Sequence, residues 1–303
     1  MNLRLLCPNK SLFSENNLSA LKKKFKCTFI NCNQSKFNKI AHNYEIILMR
    51  FSLDLKYKRK SNIKYIISPT TGLNHIDKKF KNRKNVKIFN LKNKKFLNKV
   101  NATAEHTIFL ILKLLKKRNK KVKFGFKKNY ENYIASELHK KKVGIIGYGR
   151  IGKKVARICS SFGAKVLIHD KYKKIKQNKT LSYVLKNSDI LTFHIPYSHK
   201  TLNLFDTKKL RLIKDKTILI NTSRGEIFNE KDLLKETIKK NLRLGLDVIS
   251  NENSFNIKNN IFFRTILNNR DCIITPHVSG LSKESIELTD NHVISNFLKK
   301  TNL

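Results

Sequence analysis

Residues 142–152, Lys-Val-Gly-Ile-Ile-Gly-Tyr-Gly-Arg-Ile-Gly, end an apolar run in three closely spaced glycines. The chain has only ten glycines and four prolines in 303 residues, so this cluster stands out from its background. Gly147 permits a tight turn, Gly149 lets the backbone approach a pyrophosphate, and Gly152 lets the next helix pack close on the strand. The N-terminus of that helix turns partial positive charge toward the phosphates. Asp170 closes the next apolar run, Ala164-Lys165-Val166-Leu167-Ile168-His169-Asp170, about eighteen positions after Gly152. A carboxylate there accepts hydrogen bonds from an adenosine ribose 2′-OH and repels a 2′-phosphate, so the pattern favours NAD over NADP. Four more polar motifs end apolar runs downstream: Phe193-His194-Ile195-Pro196 with Thr201, Asn221-Thr222-Ser223-Arg224-Gly225, Leu246-Asp247-Val248 followed by Glu252, and Thr275-Pro276-His277-Val278-Ser279-Gly280.

Strands must present these motifs. In the first hundred residues the candidates are Leu3 to Leu6, Cys27 to Ile30, Glu45 to Met49, Lys64 to Ser68 and Val86 to Phe89, a βα rhythm suited to a parallel sheet. A long apolar periodic helix is predicted from Ala102 to Lys117. Six further strands follow: Val143 to Ile146, Lys165 to His169, Ile190 to His194, Ile218 to Asn221, Leu244 to Val248 and Cys272 to Thr275. The stretch from Ser250 to Asn269 reads as an Asn-rich loop, and Ser282 to Lys299 as an amphipathic helix that returns to the first domain. The expected architecture is α/β, with two Rossmann-like or flavodoxin-like domains built on doubly wound parallel sheets. Residues 1–101 plus 281–303 form the substrate domain and residues 102–280 the NAD-binding domain, with the active site in the interdomain cleft at the strand carboxyl ends.

Composition narrows the class. A hydrophobic content of 40% over 303 residues supports two globular cores. The longest apolar run, Ile108 to Leu115, is short and broken by Lys113, so no membrane partner is expected. The N-terminus has no long apolar core or small-residue cleavage site, and it reads as a first strand rather than a signal peptide. Five cysteines without a CxxC pair indicate neither a disulfide framework nor a metal site, which fits a reducing cytoplasm. The formal charge of +44 would by itself suggest nucleic acid. The lysines are spread along the whole chain, however, with abundant Asn and Ile and no Trp, the bias of an AT-rich coding sequence. Clusters at Lys92 to Lys99 and Lys113 to Lys123 read as solvated faces, so no specific nucleic-acid partner is expected.

Taken together, the strand-end motifs resemble those of the D-isomer-specific 2-hydroxyacid dehydrogenases over nearly the whole chain. Ser68-Pro69-Thr70-Thr71-Gly72-Leu73-Asn74-His75-Ile76-Asp77 resembles the substrate loop of that family, and Ala102-Thr103-Ala104-Glu105-His106-Thr107 the start of its inter-domain helix. The resemblance implies a catalytic trio of Arg224, Glu252 and His277. An imidazole with an ordinary pKa near 6.5 exchanges a proton with the C2 oxygen in either direction. Glu252 on the other ring nitrogen would orient it and favour its charged form. Arg224 offers a planar fork for the substrate carboxylate and C2 oxygen that lysine does not reproduce. Backbone N–H groups of Thr71, Gly72 and Leu73 would hold the other side of the carboxylate. Arg150 and Ile151 would meet the pyrophosphate, Asp247 the nicotinamide carboxamide, and His194, Pro196, Thr201 and Thr222 would line the cofactor crevice.

The implied activity is NAD-dependent hydride transfer at C2 of a small anionic D-2-hydroxy or 2-oxo acid, 3-phosphoglycerate-like, by a cytoplasmic homodimer. Formate-type chemistry is disfavoured because Glu252 stands where those enzymes pair the histidine with a neutral amide. The alternative is a corepressor-like NAD(H)-sensing protein without turnover. Two departures stand out: Asn253 follows Glu252 where the family usually has Pro, and Lys116 to Lys141 lacks the usual aromatic-rich pattern. The chain ends soon after the last helix, so no regulatory domain is expected there. His75 and His106 are read as structural.

Overall fold

A computed structural model of the protein describes residues 3–116, 134–252 and 259–301. Lys117 to Lys123 of the second basic cluster, and Asn253, lie outside the described residues. The chain divides into two compact units, Met1–Val100 with Leu281–Leu303, and Asn101–Gly280.

The first unit is built on β1 (Arg4–Cys7), β2 (Lys26–Phe29), β3 (Ile46–Leu48), β4 (Tyr65–Ser68) and β5 (Lys87–Asn90). All pair in parallel, in the order β2-β1-β3-β4-β5. Successive strand residues point to opposite faces, and both faces of the central strands are apolar because both are covered. Leu5, Ile46 and Ile67 join one cluster with Leu18, Leu21 and Phe297. Their neighbours Leu6, Ile47 and Ile66 join the other with Phe37 and Phe80. The helix Lys283–Thr301 supplies Val293, Ile294 and Phe297 to the first of these cores, so the C-terminus completes the N-terminal fold.

The second unit holds β6 (Lys142–Ile146), β7 (Lys165–His169), β8 (Ile190–Phe193), β9 (Ile218–Asn221), β10 (Arg243–Leu246) and β11 (Ile273–Ile274). These also pair in parallel, in the order β11-β10-β9-β8-β6-β7. Val143, Ile145, Ile190 and Ile220 pack with the helices Ala102–Lys116 and Arg150–Ser161 on one face, while Ile146, Leu191, Leu219 and Leu244 pack on the other. Strand order reverses at β6, between β7 and β8, and this is the point where doubly wound sheets open a ligand crevice.

One expectation is corrected. The stretch read as a loop from Ser250 to Asn269 contains a helix, Ile261–Asn268. The Asn260 side chain caps it by accepting the Phe263 N–H at 3.1 Å, and Phe262 and Ile266, four residues apart, bury one face.

Candidate dinucleotide and active site

The glycine turn sits at the reversal point. The Gly147 N–H donates to the His169 carbonyl at the end of β7 (2.8 Å), and the His194 N–H just beyond β8 donates to Ile146 (2.8 Å). Gly147 has φ +94°, and a Cβ there would fall 2.7 Å from the His194 carbonyl oxygen. At Gly152 a Cβ would meet the Gly147 carbonyl oxygen at 2.1 Å, so the helix Arg150–Ser161 starts against the turn itself. Gly149 differs from both: a Cβ there would meet nothing within 4 Å. The space in front of Gly149, ahead of a twelve-residue helix, fits a pyrophosphate. Burial lowers the pKa of the Arg150 guanidinium, at the first residue of that helix.

Asp170 follows β7. Partial burial pushes its carboxyl up, but N–H donors from Tyr172, Lys173 and Tyr148, with the Lys173 charge, outweigh this and hold it below the ordinary carboxylate range. Oδ2 accepts from Tyr148 at 2.8 Å, and Oδ1 from Tyr172 (2.9 Å) and Lys173 (3.0 Å). The acid is thus ionised and tied to the glycine turn, as ribose recognition requires.

After β8, the His194 Nε2 lies 2.9 Å from Thr192 Oγ1, and its enclosed Nδ1 has no partner among the described residues. Burial pushes this imidazole down to about 3, so it is neutral. Thr201 Oγ1 donates to the Pro196 carbonyl (2.9 Å) and shapes the loop that follows.

At the end of β9, Asn221 braces the turn that carries Arg224. Its Oδ1 accepts from the Ser223 N–H (3.0 Å) and hydroxyl (2.7 Å), and its Nδ2 donates to the Arg224 carbonyl (2.8 Å). Arg224 Nη1 donates to Ser223 O at 2.5 Å. The buried Thr222 hydroxyl meets Thr107 of the long helix at 2.9 Å.

The last two motifs come together. His277 Nδ1 is hydrogen-bonded to Glu252 Oε1, with side chains 19% and 29% exposed, so the pair sits at a surface accessible to a small molecule. Both flanks of this contact are in left-handed backbone, Asn251 at φ 54° and His277 at φ 53°. Such a conformation costs about 1 kcal/mol or more for a residue with a Cβ, and it persists where the surroundings enforce it.

Asp247 is the enforcing group, a role the sequence did not indicate. It is fully buried, and it accepts from the Thr275 hydroxyl (2.6 Å) and from the N–H groups of Val278 (2.9 Å) and Ser279 (2.9 Å). His106 Nε2, read as merely structural, joins this network at 3.0 Å from Thr275 Oγ1 and 3.6 Å from Asp247 Oδ1.

In the other unit, the loop after β4 is fixed by Thr70, whose hydroxyl donates to the Gly72 carbonyl (2.8 Å), and by a Ser68–His75 contact of 3.1 Å. Among the described residues, the N–H groups of Thr71, Gly72 and Leu73 have no protein acceptor. No group of His, Cys, Asp and Glu among the described residues is arranged to hold a metal ion. None of their helices is long and apolar enough to cross a membrane.

A doubly wound sheet with a glycine turn at its reversal point, an ionised acid after the second strand and a carboxylate-paired histidine defines an NAD-dependent dehydrogenase. Comparison with known proteins agrees. The sequence profile described as "D-isomer specific 2-hydroxyacid dehydrogenase, NAD binding domain" matches residues 106–279. The chain is 32% identical over 292 residues to an erythronate-4-phosphate dehydrogenase of Wigglesworthia glossinidia brevipalpis, a match covering 93% of this chain and 69% of that one. It is 37% identical over 161 residues to a hydroxypyruvate reductase of Blautia hydrogenotrophica, covering 51% of this chain and 48% of the relative. Among solved structures, the D-lactate dehydrogenase of Aquifex aeolicus, complexed with NAD and lactic acid, superposes with a TM-score of 0.79 at 25% identity, over 98% of this chain and 96% of that one. The chain belongs to the D-isomer specific 2-hydroxyacid dehydrogenases, NAD-dependent oxidoreductases.

Proposed function

We propose that the protein moves a hydride between NAD and C2 of a phosphorylated D-2-hydroxy acid or its 2-oxo counterpart, with Arg224, Glu252 and His277 as its catalytic groups. The observation that carries this reading is the Glu252–His277 hydrogen bond, on a turn that a buried carboxylate holds in left-handed backbone. When bound, the nicotinamide supplies or accepts the hydride. His277, held through Nδ1, gives a proton from Nε2 to the C2 oxygen in reduction and takes it back in oxidation. Glu252, hydrogen-bonded to Nδ1, sets the ring's orientation. Arg224, on its braced turn, binds the substrate carboxylate and the C2 oxygen. The N–H groups of Thr71, Gly72 and Leu73 are the proposed backbone donors for that carboxylate. Gly147, Gly149, Arg150, Ile151 and Gly152 receive the pyrophosphate and Asp170 the ribose, while His194, Pro196, Thr201, Thr222 and Asp247 shape the cofactor crevice.

The phosphate on the substrate is supported by the wording of the Thr70–Asp77 loop, which is 3-phosphoglycerate-dehydrogenase-like, and by the erythronate-4-phosphate dehydrogenase relative. The proposed setting is a cytoplasmic homodimer without a nucleic-acid partner. The test is NADH consumption with 3-phosphohydroxypyruvate, the 2-oxo form of 4-phosphoerythronate, hydroxypyruvate, glyoxylate and pyruvate. The two phosphorylated acids are expected to give the highest kcat/KM. A higher value for pyruvate or glyoxylate would refute the phosphate requirement while leaving the reaction class standing.

A further inference from the structure

We propose that Glu230 is a positioning residue for Glu252 and, through it, for His277; this rests on the preceding reading of that pair. Glu230 begins the helix Glu230–Lys240 and is not one of the trio. Its Oε1 accepts the Ser250 N–H at 2.6 Å, and its Oε2 accepts from Asn260 Nδ2 at 3.3 Å. Ser250 lies two residues before Glu252, and Asn260 caps the helix on its far side. One carboxylate therefore grips both flanks of the segment that presents Glu252.

A second contact holds the same place. Gly225 directly follows Arg224, and a Cβ on it would fall 2.0 Å from the Ile249 carbonyl carbon and 2.3 Å from the Ser250 nitrogen. Backbone thus meets backbone between the Arg224 turn and the start of the Glu252 segment. From Ser250 the chain enters left-handed Asn251 and delivers Glu252 to the histidine. Glu230 and Gly225 together fix the start of the segment that brings Glu252 to His277, and tie it to the Arg224 turn.

The test compares Glu230→Ala with Glu230→Gln, which keeps an oxygen for the Ser250 N–H. Proton NMR follows the His277 Nδ1–H signal, steady-state kinetics separates kcat from KM, and thermal melting with NADH titration reports folding. Glu230→Ala is expected to bind NADH normally, to lose the His277 signal to exchange and to lower kcat about 10- to 100-fold. Glu230→Gln should keep both the signal and most of the activity. In a Glu252→Gln background, Glu230→Ala should cost less than about twofold more, because the two act through one contact. A His277 signal unchanged in Glu230→Ala, or fully additive losses in the double variant, overturns the proposal. Should Glu230→Ala fail to fold, Glu230→Leu, which fills the space without offering an acceptor, takes its place, and a His277 signal unchanged in it overturns the proposal equally. A wild type that shows the signal without turnover would count against the proposed reaction and leave this clamp intact.

Discussion

His277 and Glu252 form a pair whose geometry depends on two left-handed residues, and the chemistry assigned to them is correspondingly sensitive to small changes. Arg224→Lys keeps the charge but loses the fork. A lost charge-assisted bond costs about 1.5–3 kcal/mol, so kcat/KM should fall about 10- to 150-fold while NADH affinity holds, as measured by steady-state kinetics and fluorescence titration. His194 gives a pH prediction. Its ring, with Nδ1 enclosed, is neutral in the folded protein and takes a proton readily only after unfolding. The stability it contributes is complete above about pH 6.5 and is lost as pH falls toward about 3, with a slope of up to about 1.4 kcal/mol per unit. Urea midpoints at pH 7 and pH 5 should therefore differ less in His194→Gln than in the wild type. The proposed trio could be picked out from the sequence because each member follows an apolar strand within a motif that resembles the family's, and the Glu252–His277 contact is the part of it that the structure shows. The role of Asp247 could not, because its acceptor duty toward Val278 and Ser279 spans some thirty residues and exists only once β10 and β11 are side by side.

The glycine turn separates folding from binding at the level of the element. At Gly147 the φ of +94° and the 2.7 Å approach of the His194 carbonyl mean that Gly147→Ala should lower the melting temperature and NADH affinity together. A Cβ on Gly149 meets open space, so Gly149→Ala should change the melting temperature less than Gly147→Ala does, yet lose NADH binding at least about tenfold if the proposed pyrophosphate position is right. Calorimetry with NADH titration checks both. The strands among the described residues were readable, most clearly the central ones, where both faces of the sheet are covered and leave short, nearly continuous apolar runs. The helix Ile261–Asn268 was hidden for a physical reason. Its signal is a single capping Asn in an Asn-rich stretch and one buried pair, Phe262 and Ile266, too little periodicity to stand out before packing decides.

For the whole molecule, the charge of +44 sets a field that attracts anions, so kcat/KM for an anionic acid should decline steadily with added salt while kcat changes little. Stability of the first unit leans on a buried ion pair that ties the C-terminal helix to the sheet. Arg50 Nη2 meets Asp290 Oδ1 at 2.6 Å, with the side chains 4% and 0% exposed, and Arg50 Nη1 donates to the Pro69 carbonyl (2.9 Å) just ahead of Thr71. Removing one partner leaves a buried charge unmatched, so Asp290→Ala should cost about 3–5 kcal/mol in urea unfolding. Replacing the pair with apolar side chains is expected to cost less. The most direct test of the proposed chemistry is NADH consumption with a phosphorylated 2-oxo acid by the wild type and by His277→Ala, with NADH binding measured on both. The expected result is turnover by the wild type, a loss of about 10²- to 10⁴-fold in the variant and equal cofactor affinity. An undiminished rate in His277→Ala would contradict the assignment of the proton-transfer group. A wild type that binds NADH and turns over none of the acids would contradict the proposed catalysis itself.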